Sequence, residues 1–170
     1  MDLAERLAGQ EQALDELLDA LGLPWQEEQA DERVALLAER QPHYPRYHRI
    51  GHKRQLAYRA LEADRALAAR HYERVLAALL RDDDPSSPRW LATALVAAVG
   101  RRRVLTDLVR AVEDGTPGER HCAAGAWRWA EPPLRYASDA ARREGRATAS
   151  SLAERDSLAE LTARFRAAAG

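Results

Sequence analysis

The sequence predicts an all-α protein, an α-solenoid or superhelix of antiparallel helix pairs. Three observations predict it. Ala, Leu, Arg and Glu dominate the chain, and these residues favour helix. β-Branched residues are sparse, and no stretch alternates apolar and polar. Two helix–turn–helix stretches also superpose at a period of about 30 residues, as stacked repeats do.

Taken in order, the first helix spans Leu3 to Leu21. Leu3, Leu7, Leu14, Leu18 and Leu21 share one face, and Gly22 then Pro24 stop it. A shorter helix over Glu27 to Arg40 carries Ala30, Val34 and Leu37 on one stripe, and Pro42 and Pro45 end it. Gln41 to His52, rich in His, Tyr and Arg, reads as an irregular linker. This divides the chain into an N-terminal helical pair with its linker, residues 1–52, and a repeat region, residues 53–170, within one continuous domain. Lys53 to Asp82 contains no Gly or Pro, yet its apolar stripe changes phase. The phase change predicts two helices with a bend near Ala66 to Arg70.

Asp82-Asp83-Asp84-Pro85 ends that segment. Ser87 then stands where an N-cap belongs, with Pro88 at the first helical position, and the helix runs to Gly100. Arg101 to Arg103 read as a tight basic turn before a helix over Val104 to Glu113, which Gly115 closes. Thr116-Pro117-Gly118-Glu119 combines a capping box with an early proline and starts a helix that runs to about Ala130. Pro132-Pro133 terminates it. Leu134 to Ala149 reads as a loop with a short helix. Ser151 to Glu154 matches a second capping box, opening a last helix to about Ala168.

The repeat lies in the middle of this series. Val75 to Leu80, an acidic turn, Arg89, and Ala92 to Val99 make one unit. Val104 to Val109, an acidic turn, Arg120, and Ala123 to Ala130 make the next. The second helices align thirty-one residues apart and the first helices twenty-nine. Asp82 to Asp84, Arg89, Ala92, Leu95 and Val96, with Asp114, Arg120, Ala123, Ala126 and Trp127, resemble the HEAT-repeat family in its short bacterial form. Arg54, Ala57, Ala60 and Leu61 match it more weakly, as the second helix of an earlier unit. Ser151 to Ala168 matches a first helix standing as a terminal cap. The resemblance covers about Lys53 to Ala130. Pro88, Glu119 and Trp127 depart from the pattern. It implies a curved stack with a binding surface on its concave side, and a scaffold rather than one set activity.

Composition narrows the function classes. The formal net charge is −1, so no overall field draws the chain to nucleic acid or membrane. Lys53 is the single lysine, so the arginine-rich basic set reads as base composition. One cysteine, Cys122, cannot form an internal disulfide, which fits a reducing, cytoplasmic setting. Met1 to Gln10 has no apolar leader core, and no run is long enough to span a bilayer.

The metalloprotease, nucleophile-elbow, Walker and dinucleotide motifs are all absent. No His-Glu dipeptide occurs, which removes the iron-binding pattern of one HEAT-like hydroxylase class. No catalytic residue, metal or cofactor is therefore assigned. His43, His48 and His52 are too loosely spaced for a metal set and lack a nearby carboxylate. Cys122 reads as a buried structural thiol ahead of a reactive one.

Tyr44, Arg46, Tyr47, His48, Arg49, His52, Lys53, Arg54, Tyr58 and Arg59 form the densest polar-aromatic patch. Trp127 and Trp129 stand about 160° apart around their helix, one on each shoulder of its apolar stripe. The first reading is a non-enzymatic scaffold binding a protein or acidic peptide through His48, Arg49, His52, Arg54, Arg59, Arg128 and Trp129. Arg89 and Arg120 are expected to pair with turn carboxylates such as Asp84 and Asp114. That would leave Arg54, Arg59 and Arg128 as the freer cations. A nucleic-acid-binding or repair protein using the same Arg/Tyr/His patch is the second reading. A lyase or chaperone holding a cofactor or peptide in a groove is the third.

Overall fold

The computed structural model describes residues 2–26 and 31–170. Among them it has eleven helices and no strand, with one isolated antiparallel bridge between Tyr136 and Ala147. No helix among these residues is long and apolar enough to cross a membrane.

Helix α1, Leu3–Ala20, begins with a capping box in which the Glu5 amide donates to Asp2 and the Asp2 amide donates back to Glu5. Leu7, Leu14, Leu17 and Leu18 are buried along one side. Gly22 ends it at φ 68°, letting the Leu23 amide reach back to the Leu18 carbonyl. Helix α2, Glu32–Arg40, is capped by Asp31 and leans on α3 without fully burying a side chain. The expected earlier start of this helix, Glu27 to Ala30, lies outside the described residues.

Helix α3, Tyr44–Ala63, corrects the linker expected over Gln41 to His52. Pro45 sits in the first turn, where its missing N–H is no loss, so it opens a helix instead of ending one. The boundary expected between residues 52 and 53 therefore falls inside α3. The bend expected near Ala66 to Arg70 is two breaks on either side of that segment. Asp64 accepts the Ala66 and Leu67 amides and starts α4, Arg65–Arg70, and His71 separates α4 from α5, Tyr72–Leu79.

Helix α6 is Pro88–Val99. A single residue, Gly100 at φ 86°, joins it to α7, Arg101–Asp114. Arg101 to Arg103 are thus the first turn of α7 and not a turn between helices, because one left-handed glycine suffices to reverse the chain. Helix α8, Pro117–Ala130, starts at the expected capping box. Beyond it come α9, Asp139–Arg143, then α10, Ala149–Asp156, and α11, Ala159–Ala169. The expected last helix is thus split at Ser157 and Leu158. Its cap is Thr148, whose side chain accepts the Ser151 amide, and not Ser151.

Three helix pairs touch along their lengths: α1 with α3, α5 with α6, and α7 with α8. Helix α1 also packs on α5, and α7 on α11, while α3 packs on α6 and α6 on α8. Val75, Leu79, Leu91, Leu95, Leu105 and Leu108 fill the middle, all fully buried. Ala92, Ala123, Ala126 and Ala130 are buried too, and their small side chains let α6 and α8 approach closely. Trp127 is 6% exposed and stacks on Phe165 of α11, with ring centroids 4.1 Å apart.

Candidate partner-binding face

The basic residues of α3 divide by direction. Those on the α1 side meet carboxylates. Arg46 and Arg49 pair with Glu11 at 3.1 and 3.0 Å, and Lys53 reaches Glu11 at 3.1 Å and Asp15 at 2.6 Å. The Lys53 ammonium also lies over the Trp25 ring, 5.4 Å from its centre. Burial would raise the Glu11 carboxyl, but donors from Arg49 and Lys53 outweigh it and hold the carboxyl below its ordinary range. These cations fasten α1 to α3.

Arg54 points toward the loop before α6 and is 5% exposed. Its Nη2 donates to Asp82 Oδ1 at 3.0 Å, and its Nε lies 3.0 Å from Oδ2, off the line of a hydrogen bond. Gln10 and Ser87 donate to the same carboxylate, each at 2.7 Å, and the Asp84 amide donates at 3.2 Å. One buried carboxylate thereby ties α1, α3 and the start of α6 together. Ser87 spends its hydroxyl here, so it makes no cap for α6. Burial pushes the Asp82 carboxyl above its ordinary value, against the pull of Arg54 and Ser87.

Arg54 is thus buried in a carboxylate clamp, and Arg49 braces α3 on α1 with its side chain still partly exposed. His48 and His52 stay on α3 with rings 4.2 Å apart, half-buried and committed to their neighbours. Among the described residues no three His, Cys, Asp or Glu side chains converge as a metal site. The acidic run is not a solvated turn either: Asp83 pairs with Arg6 at 2.7 Å, and Asp84 accepts the Tyr47 hydroxyl at 2.8 Å. At the other end, Arg101 pairs with Glu154 at 3.0 Å and Arg103 with Asp107 at 2.9 Å.

What remains outward on α3, α6 and α8 forms three exposed stripes. They are Gln55, Arg59 and Glu62 on α3, Arg89, Thr93 and Ala97 on α6, and His121, Gly125 and Arg128 on α8. Each follows helical spacing, because exposed positions recur every three or four residues. Aromatic rings brace the arginines. Tyr58 stacks on Trp90 across the α3–α6 seam, with centroids 5.7 Å apart and planes at 24°. The Arg89 guanidinium lies 5.6 Å from the Trp90 ring centre, and that of Arg128 lies 4.8 Å from the Trp129 ring centre.

Arg128 also donates to the Pro85 carbonyl. Trp129 is half-buried with its Nε1 covered and lacking an acceptor among the described residues, so it is a core-seated ring under an arginine and not a fully exposed anchor. Arg89 has no carboxylate partner among the described residues, and Arg120 donates to the Gly115 and Glu113 carbonyls. Neither makes the expected pair with Asp84 or Asp114. Arg59 is exposed and without an ion pair among the described residues. Trp90 did not emerge from the sequence as a site residue. The signal was there in the repeated Arg-Trp doublets at 89–90 and 128–129.

Two other features carry less chemistry. Cys122 is buried, and burial foremost, with Asp83 and Asp82 adding to it, pushes its thiol up to about 12. A cleft of about 550 Å³ lies between α1, Arg81 and the start of α8, with Cys122 in its wall. Its three carboxylates are all engaged: Glu5 with the Asp2 amide, Asp83 with Arg6, and Glu119 with Thr116. The isolated carboxylate that a lyase reading asks of such a cleft is not among them. No protein-family model, curated protein or solved structure matches the chain.

Proposed function

We propose that this chain is a non-enzymatic interaction module, a HEAT-like stack of helix pairs that holds a protein or peptide partner on the face made by α3, α6 and α8. The contact pattern fits the stack along the second helices, where α3, α6 and α8 touch in sequence. Among first helices α1 packs on α5 and α7 on α11, while α5 and α7 share no packed seam among the described residues. Each pair alone would leave an apolar side open, so neighbours complete one another's core.

One observation carries the binding role: the braced cluster of Tyr58, Arg89 and Trp90 at the α3–α6 seam. Tryptophan, tyrosine and arginine are the residues on which binding energy concentrates, the two aromatics because they bury a large area with few rotating bonds and arginine because its planar fork makes several hydrogen bonds and stacks on rings. Exposed small residues on α6 and α8, Ala97, Ala124 and Gly125, leave room for a partner's backbone to come close. Against a nucleic-acid reading, Arg46, Arg49, Lys53 and Arg54 are already ion-paired with Glu11, Asp15 and Asp82, which offset all but one of their charges.

The test is affinity capture from the native host with wild-type chain and with Trp90→Ala, compared by quantitative mass spectrometry. Proteins retained by the first and lost by the second, with an unchanged circular dichroism spectrum, support the reading. An identical set from both overturns it.

A further inference from the structure

The α3–α6–α8 face also holds information about what kind of segment it takes, and the following rests on the reading that this face is where a partner sits. We infer that the partner is an acidic peptide segment whose carboxylates seat on Arg59, Arg89 and Arg128.

Two of the four carboxylates beside this face are neutralised by arginines, and two meet only neutral donors. Asp82 is held by Arg54, Asp83 by Arg6, and Asp84 by Tyr47 and Ser86, while Glu62 accepts the Tyr58 hydroxyl at 2.8 Å. The cations are not spent on carboxylates. Arg59 and Arg89 have no ion pair among the described residues, and Arg128 meets only the Pro85 carbonyl and the Trp129 ring. Three arginines without ion pairs outnumber the two uncompensated carboxylates, Glu62 and Asp84, so the face is complementary to added negative charge, in a chain whose net charge is close to zero.

Geometry narrows the class. A guanidinium lying on an aromatic ring keeps its N–H edge turned outward and loses little freedom on binding, the arrangement that suits a bidentate carboxylate. Arg89 and Arg128 both lie over rings and flank the start of α6, Arg128 giving one nitrogen to the Pro85 carbonyl just ahead of it and keeping its others. A polyphosphate chain fits worse. To touch Arg128 it would run beside Asp84, which borders the same hollow and keeps its charge because Tyr47 and Ser86 are neutral donors, and repulsion from a charge at every step would oppose it. A peptide places its carboxylates only at chosen positions and avoids that loop.

The test selects a random dodecapeptide display library against the full chain, then measures the winning peptides by fluorescence anisotropy. The expected winners carry at least two carboxylates. Exchanging those for amides, or the face for Arg59→Ser/Arg89→Ser/Arg128→Ser, weakens binding about tenfold or more, and added salt does the same. The triple variant keeps its circular dichroism spectrum and melting temperature, because all three side chains are exposed. Winners without carboxylates that are lost in Trp90→Ala overturn the acidic assignment and leave the face standing. Winners indifferent to every one of these substitutions overturn both. Displacement of the winners by a dodecamer of deoxythymidine at lower concentration than by acidic peptide also overturns the assignment, in favour of nucleic acid.

Discussion

Replacing Asp82 by alanine should be among the most damaging single changes in this protein. The carboxylate is 2% exposed and receives Arg54, Gln10, Ser87 and the Asp84 amide. Its loss strands a guanidinium that is itself 5% exposed, and an uncompensated buried charge costs about 3–5 kcal/mol. Arg54→Met should cost less, about 1–3 kcal/mol, because the carboxylate keeps three donors and can take up a proton. Combining the two changes should recover about 1 kcal/mol or more over Asp82→Ala alone, since no charge is then left buried.

pH separates these cases. The folded carboxyl lies above its ordinary value, so its ionisation opposes folding, and the associated stability is lost as pH rises through the folded value. Without Arg54 the folded carboxyl should rise further, so that loss should grow and extend to higher pH. Urea unfolding followed by tryptophan fluorescence at several pH values measures all of this. An Asp82→Ala cost under about 1 kcal/mol, or a double variant no better than that single one, would refute the buried clamp.

Three further outcomes follow from the same packing. Trp127→Ala empties a core site stacked on Phe165 and should destabilise by about 3–5 kcal/mol in the same assay, loosening α11. Thr116→Ala removes the cap of α8, where the Glu119 amide donates to the threonine hydroxyl, and should cost about 1 kcal/mol, read as a lower melting temperature. Cys122 should react with a thiol-specific disulfide reagent only on unfolding, because its thiol is buried and stays protonated at neutral pH; fast labelling of the native protein would contradict this.

Much of the helical frame was legible in the sequence because helix ends are local chemistry. Thr116-Pro117-Gly118-Glu119 and Gly115 marked their boundaries within a few residues. The failures came where distant partners decide. Residues 44–52 lack a continuous apolar stripe, and they are helical because Arg46, Arg49 and Lys53 reach carboxylates on α1, about forty residues earlier in the chain. Ser87 looks like a cap and is instead drawn to Asp82.

Arginines beside aromatic residues could be picked out of the sequence, but spacing alone cannot say which arginine turns inward. Arg54 looked free by its place in the repeat and is the buried one, whereas Arg89 looked paired and is not.

The claim that binding occurs across α3, α6 and α8 is tested most directly by site-specific photo-crosslinking in the native host. A photoreactive residue at Thr93, on the exposed stripe of α6, reports on this face, and one at Ala77, exposed on α5, serves as the control. The account predicts a discrete crosslinked partner from position 93 that is absent from position 77 and lost when Arg59, Arg89 and Arg128 are replaced by serine. Crosslinks that arise from position 77 alone would contradict it.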